Sequence, residues 1–189
     1  GSYTVKVFEN VSGTSYAQAV SQTIQVNIAS DTTPFLYPNQ FCNFNADSNV
    51  VTVSDTITSG MTDPLKKVEA IYNYAVDNIT YDNQKAATVQ SGYLPNVDTT
   101  LAQKKGICFD YAALMTAMLR SQGIPTKLVI GYAGNVYHAW VSVYIQGQGW
   151  VDNIIYFDGT DWKLMDPTFV SSGKKSAEVL NYVSNPANY

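Results

Sequence analysis

Residues Lys105 to Arg120 leave this chain few ways to fold. A glycine turn at Lys105-Gly106-Ile107 leads into Cys108. From there Phe109-Asp110-Tyr111-Ala112-Ala113-Leu114-Met115-Thr116-Ala117-Met118-Leu119-Arg120 runs apolar around most of a helical circumference. Such a helix needs cover on most sides, so other elements must wrap it. The 189 residues suffice for one domain, or one with a small addition, and a true core. Ser121-Gln122-Gly123 ends the helix, with Gly123 as a left-handed cap and Pro125 beyond. Met115 and Met118 read as core filler. Cys108 stands where unpaired backbone N–H groups and the positive end of the macrodipole favour an anion, so its thiol should ionise more easily than a free one. The same position also suits a small buried thiol that packs the helix into the core. The rest of the chain has to separate the two.

Upstream, Tyr3 to Phe8 and Gln22 to Ile28 alternate apolar and polar side chains, the period of half-buried strands. Asn10 to Ser15 is turn chemistry. These strands read either as the end of a β-sandwich module or as an extension of the main sheet. Asp31 to Asn49 is an irregular connection in which Cys42 sits between Phe41 and Phe44 as a structural residue. Val50 to Thr58 alternates again and predicts a short strand. Thr62 or Asp63 can cap a helix that begins at Pro64. Leu65, Val68, Ile71, Tyr72, Ala75, Val76 and Ile79 then line one face of it to about Asn78. Asn83 to Thr100 reads as a polar loop.

Downstream of Pro125 the pattern changes to short strands joined by tight turns, hence antiparallel: Lys127 to Tyr132, Tyr137 to Ile145, Gly149 to Phe157 and Trp162 to Met165. Ser176 to Tyr182 predicts a short helix. His138, the chain's one histidine, lies on the second of these strands; Asp152 and Asp166 follow on or after the next ones. A thiol at a helix start needs a base to take its proton, and the base needs an orienting group. Neighbouring antiparallel strands can bring a histidine and an aspartate together. Against this stand plainer readings: a lone histidine between Tyr and Trp as a satisfied core residue, and Asp166 before Pro167 as a turn starter.

Charged residues make up 14% of the chain and the net charge is −4, without basic clusters, so nucleic acid is not an expected partner. No apolar run is long enough to span a bilayer. Two cysteines are too few for a disulfide framework, although Cys42 and Cys108 could pair, which would remove the nucleophile. One histidine and no Cys-x-x-Cys or His-x3-His spacing lead us to expect neither metal nor cofactor. Gly1-Ser2 reads as a cloning remnant, with any secretion signal outside the sequence. Few lysines, many Tyr, Asn and Thr and a strand-rich opening point to an extracellular or cell-surface protein.

Gly106-Ile107-Cys108-x-Asp110-Tyr111-Ala112, Leu119-Arg120-Ser121-x-Gly123-Ile124-Pro125, Gly131-Tyr132, His138-Ala139-Trp140 and Asp166-Pro167-Thr168 together resemble the transglutaminase-like superfamily in its bacterial form. Asn78-Ile79-Thr80-Tyr81-Asp82 looks like that family's lead-in. The resemblance covers roughly residues 60–170. It implies an α+β, papain-like core, with the nucleophile helix packed on an antiparallel sheet, and a triad of Cys108, His138 and Asp166. The Asp-Pro-Thr context favours Asp166 over Asp152, which stays open because Gly149 to Gly159 lengthens the His-to-Asp connection. The domain reading is a β-rich N-terminal extension over 1–50 and a catalytic domain over 51–189. For the oxyanion, the Cys108 backbone N–H would be one donor; Gln103 or Tyr81 would be the second. The family's calcium-binding members use acidic loops that are not seen here, so calcium is not expected.

Two kinds of function follow. One is an acyl-transfer enzyme acting on protein or peptide carboxamides: a cysteine protease or amidase if water accepts the acyl group, a protein-glutamine transglutaminase if an amine does. The other is a non-catalytic surface module whose papain-like cleft binds a peptide or cell-wall component. A weaker third reading is a surface adhesin whose opening strands belong to a sandwich array.

Overall fold

The chain divides into two compact units, Gly1–Asp31 and Thr32–Tyr189, in a computed structural model that describes residues 1–133, 136–157, 162–164 and 183–188. In the first unit the alternating segments form an antiparallel hairpin, β1 (Ser2–Ser12) and β2 (Ser15–Gln25). Gly13 carries the turn at φ 53°, a left-handed conformation that costs glycine nothing. The register sets Tyr3 opposite Ile24 and Val7 opposite Val20, while the Thr4 and Thr23 hydroxyls lie 3.1 Å apart. The hairpin is a two-stranded sheet of its own, so these strands do not extend the main sheet.

In the second unit a 3-10 turn at Thr33–Leu36 precedes α1 (Asn49–Ile57) and α2 (Pro64–Asn78). The alternation over Val50 to Thr58 predicted a strand; the segment is helical. Its buried stripe is Val50, Ser54 and Thr58, at helical spacing, but two of those three are polar and hide the period. Ser54 is satisfied by donating to the Met118 carbonyl at 3.0 Å, and the Asp98 carboxylate accepts from the first N–H groups, Asn49 at 3.2 Å and Val50 at 2.9 Å. Both partners lie far along the chain. For α2 the local code suffices: Pro64 opens the first turn and the Asp63 carboxylate accepts from the Leu65 N–H at 2.9 Å.

Then come β3 (Thr80–Tyr81), α3 (Asn83–Thr88), α4 (Val97–Gln103) and β4 (Lys105–Gly106), where β3 and β4 pair in parallel. The segment read as one polar loop holds two short helices. Asp82 accepts from the Lys85 N–H at 2.9 Å and Asn96 from the Thr99 N–H at 2.8 Å, so polar residues that look like loop formers are caps here.

The apolar run is α5 (Cys108–Ser121), with every residue from Asp110 to Arg120 buried. It packs against α1, α2 and α4 on one side and against β5 (Thr126–Ala133) and β6 (Val136–Ile145) on the other. Tyr111, Leu114, Met115, Met118 and Leu119 are the largest side chains it contributes to the core. Gly123, at φ 74°, closes the helix, and the Ile124 N–H reaches back to the Leu119 carbonyl at 3.1 Å. The sheet continues with β7 (Gly149–Phe157), β8 (Trp162–Leu164) and β9 (Val183–Asn188) in the antiparallel order β8-β7-β6-β5-β9. The strand β9 was not foreseen; it contains Pro186, which an edge strand tolerates. The helix expected over Ser176 to Tyr182 lies outside the described residues.

Arg120, buried at the far end of α5, ties the segment after the hairpin onto this core. Its guanidinium donates to the Thr126 carbonyl at 2.9 and 2.7 Å, to the Tyr37 carbonyl at 2.5 Å and to Cys42 Sγ at 3.2 Å. Burial pushes the Cys42 thiol up, with the Arg120 charge opposing. Cys42 is fully enclosed, in keeping with a structural residue.

Candidate active site

Cys108 is the first residue of α5, entered through the extended residue Ile107. The approach is narrow. A Cβ on Gly106 would lie 2.6 Å from Cβ of Asp110, so only glycine fits against the first turn. The Asp110 carboxylate accepts from the Ile107 N–H at 2.8 Å, the reciprocal half of a capping box. Cys108 is therefore held by a turn and a cap that its own flanking residues supply.

Across from it runs β6. The Ala139 N–H donates to the Cys108 sulfur, as does the Phe109 N–H. His138 is next to Ala139, and both line, with Cys108 and Tyr81, a cavity of about 420 Å³. Cys42 and Cys108 are both free thiols, so the pairing that would have removed the nucleophile is not made. His138 is 6% exposed and its ring stacks at 6.4 Å, nearly parallel, with that of Trp140 two residues on along the same face.

The electrostatics correct one expectation. The helix start was expected to lower the Cys108 pKa, and the N–H donors do act that way. Burial outweighs them, however, and the nearby Asp110 charge adds to it, so the thiol is pushed up. Burial likewise lowers His138 from 6.5 to about 4. Both shifts favour uncharged partners: at neutral pH the pair rests as thiol and free-base imidazole rather than as an ion pair.

Of the two side chains considered for the oxyanion, Gln103 is exposed at the end of α4 and does not line the cavity. Tyr81 does, and its hydroxyl accepts from the Cys108 N–H. Burial, with the Cys108 and Asp110 charges behind it, pushes the Tyr81 hydroxyl up, so it stays protonated and able to donate. Asp166 lies outside the described residues. Asp152 falls within β7, which pairs with β6.

Three contributors went unread in the sequence. The Asp110 carboxylate, fully buried, also receives the Lys85 ammonium at 2.7 Å and the Tyr93 hydroxyl. Lys85 Nζ in turn lies 2.6 Å from the Tyr93 hydroxyl and 4.2 Å from its ring centroid. Burial works against the Lys85 charge, but the bonds to Asp110 and Tyr93 prevail and push its pKa up. Through this cluster the segment from Val89 to Tyr93, one wall of the cavity, is tied to the first turn of the nucleophile helix. A capping acid three residues after the N-cap was the available signal for Asp110; nothing local signalled Lys85 or Tyr93. Among the described residues no group of three or more His, Cys, Asp or Glu side chains could hold a metal ion.

A cysteine opening a buried helix, set against a histidine strand of an antiparallel sheet, belongs to the papain-like α+β class. The chain is a member of the transglutaminase-like superfamily, whose family model matches residues 51–153. It is 30% identical over 148 residues to the uncharacterised protein YebA of Bacillus subtilis (strain 168), covering 68% of this chain and 19% of that protein. Its fold is similar to a crystal structure named as a proposed cysteine protease from Cytophaga hutchinsonii, at 25% identity and a TM-score of 0.54, over 86% of this chain and 54% of that one. The periplasmic domain of TgpA from Pseudomonas aeruginosa is similar at 23% identity and a TM-score of 0.47, over 58% of this chain and 43% of that one. The chain thus spans about a fifth of the first relative and about half of the second.

Proposed function

We propose that this chain is a thiol acyl-transfer enzyme acting on protein or peptide carboxamides, with Cys108 as nucleophile, His138 as base and Asp166 as the group that orients the imidazole. The observation that carries this reading is the convergence of Cys108 and His138 on one cavity, with the Ala139 N–H on the sulfur. Free-base His138 takes the Cys108 proton as sulfur attacks the carbonyl carbon. The carbonyl oxygen gathers the charge and meets the Cys108 N–H and the Tyr81 hydroxyl. Collapse expels ammonia or an amine, which leaves with the proton from His138, and a thioester remains. Water or a lysine amine then resolves it. Water makes the enzyme a cysteine peptidase or amidase, an amine makes it a transglutaminase.

Family membership supports the reaction class, and the similar Cytophaga protein's name adds to the peptidase side. Among the described residues no helix is long and apolar enough to cross a membrane. That the domain works outside the cytoplasm is supported by composition: few lysines and many Tyr, Asn and Thr. The test is to incubate wild type and Cys108→Ala with a glutamine-containing protein library and a tagged amine. Tag incorporation lost in the variant assigns cross-linking, and peptide or ammonia release without incorporation assigns hydrolysis. Absence of both overturns the enzyme reading in favour of a binding cleft.

A further inference from the structure

We propose that the cavity at Cys108 selects acyl donors through a bulky uncharged side chain, aromatic or branched aliphatic, beside the attacked carbonyl, and that Tyr93 is the residue that sets this selection. The proposal rests on the acyl-transfer reading above and names its substrate class. Its large apolar and aromatic walls are Tyr81, Val89, Tyr93, Phe109, Ile130 and Tyr137, beside the uncharged Gln90 and Ser91, and among the described residues that line the cavity none is Lys, Arg, Asp or Glu. The nearest charges, Lys85 and Asp110, are already joined at 2.7 Å, with the carboxylate fully buried. A charged side chain entering here would shed water and gain no counter-ion among the described lining residues. An apolar one would trade water for aromatic surface. At about 420 Å³ the cavity is in the range of small-ligand sites, roughly 300–1,000 Å³, enough for one large side chain and its flanking backbone.

Tyr93 differs from the other wall residues in how it is held. Its hydroxyl is bound by Asp110 and Lys85, and its ring meets Phe109 edge-on, 6.3 Å between centroids at 80°. Asp110 belongs to the same helical turn as Cys108, so the wall and the sulfur keep a fixed spacing. That rigid distance is what lets the cavity measure a side chain.

The experiment alkylates purified wild type, Tyr93→Phe and Lys85→Met with peptidyl chloromethyl ketones. Phe, Leu, Gln, Glu or Lys is placed either at the residue bearing the ketone or at the one before it. The sulfur–carbon bond forms, chloride leaves and the thiol proton passes to solvent; modification of Cys108 is read by intact mass, beside an iodoacetamide control. At one of the two positions, Phe or Leu should react at least tenfold faster than Glu and Lys. Tyr93→Phe and Lys85→Met, each verified as folded by circular dichroism, should narrow that ratio at least threefold. A wild-type ratio below tenfold at both positions overturns the substrate class. Folded variants that keep the full ratio overturn the role of Tyr93. If no reagent, iodoacetamide included, modifies Cys108, the failure lies in the acyl-transfer reading itself.

Discussion

Removing the carboxylate of Asp166 should drop the pKa of His138 below its already lowered value of about 4, and the single histidine of the chain makes this measurable without assignment. The imidazole is 6% exposed, and burial lowers it from 6.5 to about 4. At about 1.36 kcal/mol per pH unit, that gap sets about 3 kcal/mol against protonating the ring in the fold. A carboxylate held against the ring favours the imidazolium and offsets part of this. Wild type should therefore titrate near 4 and Asp166→Ala below it, read from the imidazole resonances at acid pH. Stability should follow the same window. A folded pKa below the unfolded one means that the unfolded chain binds more protons between pH 6.5 and 4, so stability rises with pH there. In wild type the unfolding free energy should be insensitive to His138 above pH 6.5 and should lose about 3 kcal/mol by pH 4. A His138 pKa unmoved by Asp166→Ala refutes the role of Asp166. A drop in Asp152→Ala instead transfers that role to Asp152.

Because burial pushes the Cys108 thiol above its ordinary 9.0, its iodoacetamide labelling should keep accelerating as pH rises past 9; a plateau from pH 6 upward would mean a resting thiolate–imidazolium pair instead. Asp110→Ala removes the acceptor of the buried Ile107 N–H and of the Tyr93 hydroxyl and the counter-ion of Lys85, whose ammonium keeps its bond to Tyr93 and is 30% exposed to water. A loss of about 2–3 kcal/mol, or about 5–10 °C in Tm, is expected by thermal denaturation, and less than about 1 kcal/mol would show that the cluster holds nothing. Tyr81→Phe removes the hydroxyl beside the Cys108 N–H and should lower kcat by about tenfold to a thousandfold with little change in KM. An unchanged kcat would leave the backbone donor alone at the oxyanion.

Helices whose start, face and end are written in neighbouring residues could be read directly. Pro64–Asn78 has its cap and proline in place, and Cys108–Ser121 has its glycine approach and Gly123 exit. The antiparallel order of β5, β6 and β7 followed from strand period and short turns, while the register shift between Val141 and Val143 did not. The segment Asn49–Ile57 did not follow. Its helical stripe is built on Ser54 and Thr58, polar residues tolerated inside because Ser54 finds the Met118 carbonyl, and its start is capped by Asp98 of another helix. The edge strand β9 was equally silent, since an edge strand carrying Pro186 has neither alternation nor apolar density.

At the site the same division holds. Cys108 and His138 were legible as residue types in their contexts, because a glycine turn before a cysteine and a lone histidine on a strand are local facts. Tyr81 and Gln103 could not be ranked from sequence. Only the parallel pairing of β3 with β4 brings Tyr81 beside the sulfur, while Gln103 ends α4 facing solvent. The charge state also needed the fold. A helix start by itself favours a thiolate, and burial, which depends on every element packed around it, reverses that preference. Sequence alone thus determined the helices α2 and α5 and the antiparallel strands after Pro125, how much of α5 must be covered and where a nucleophile could stand, because those depend on periodicity and on neighbours within a turn or two. Tertiary structure decided the cavity walls, the tie from Asp110 to Tyr93 and the protonation of the pair. Each of those is set by distance and desolvation between segments far apart in the chain.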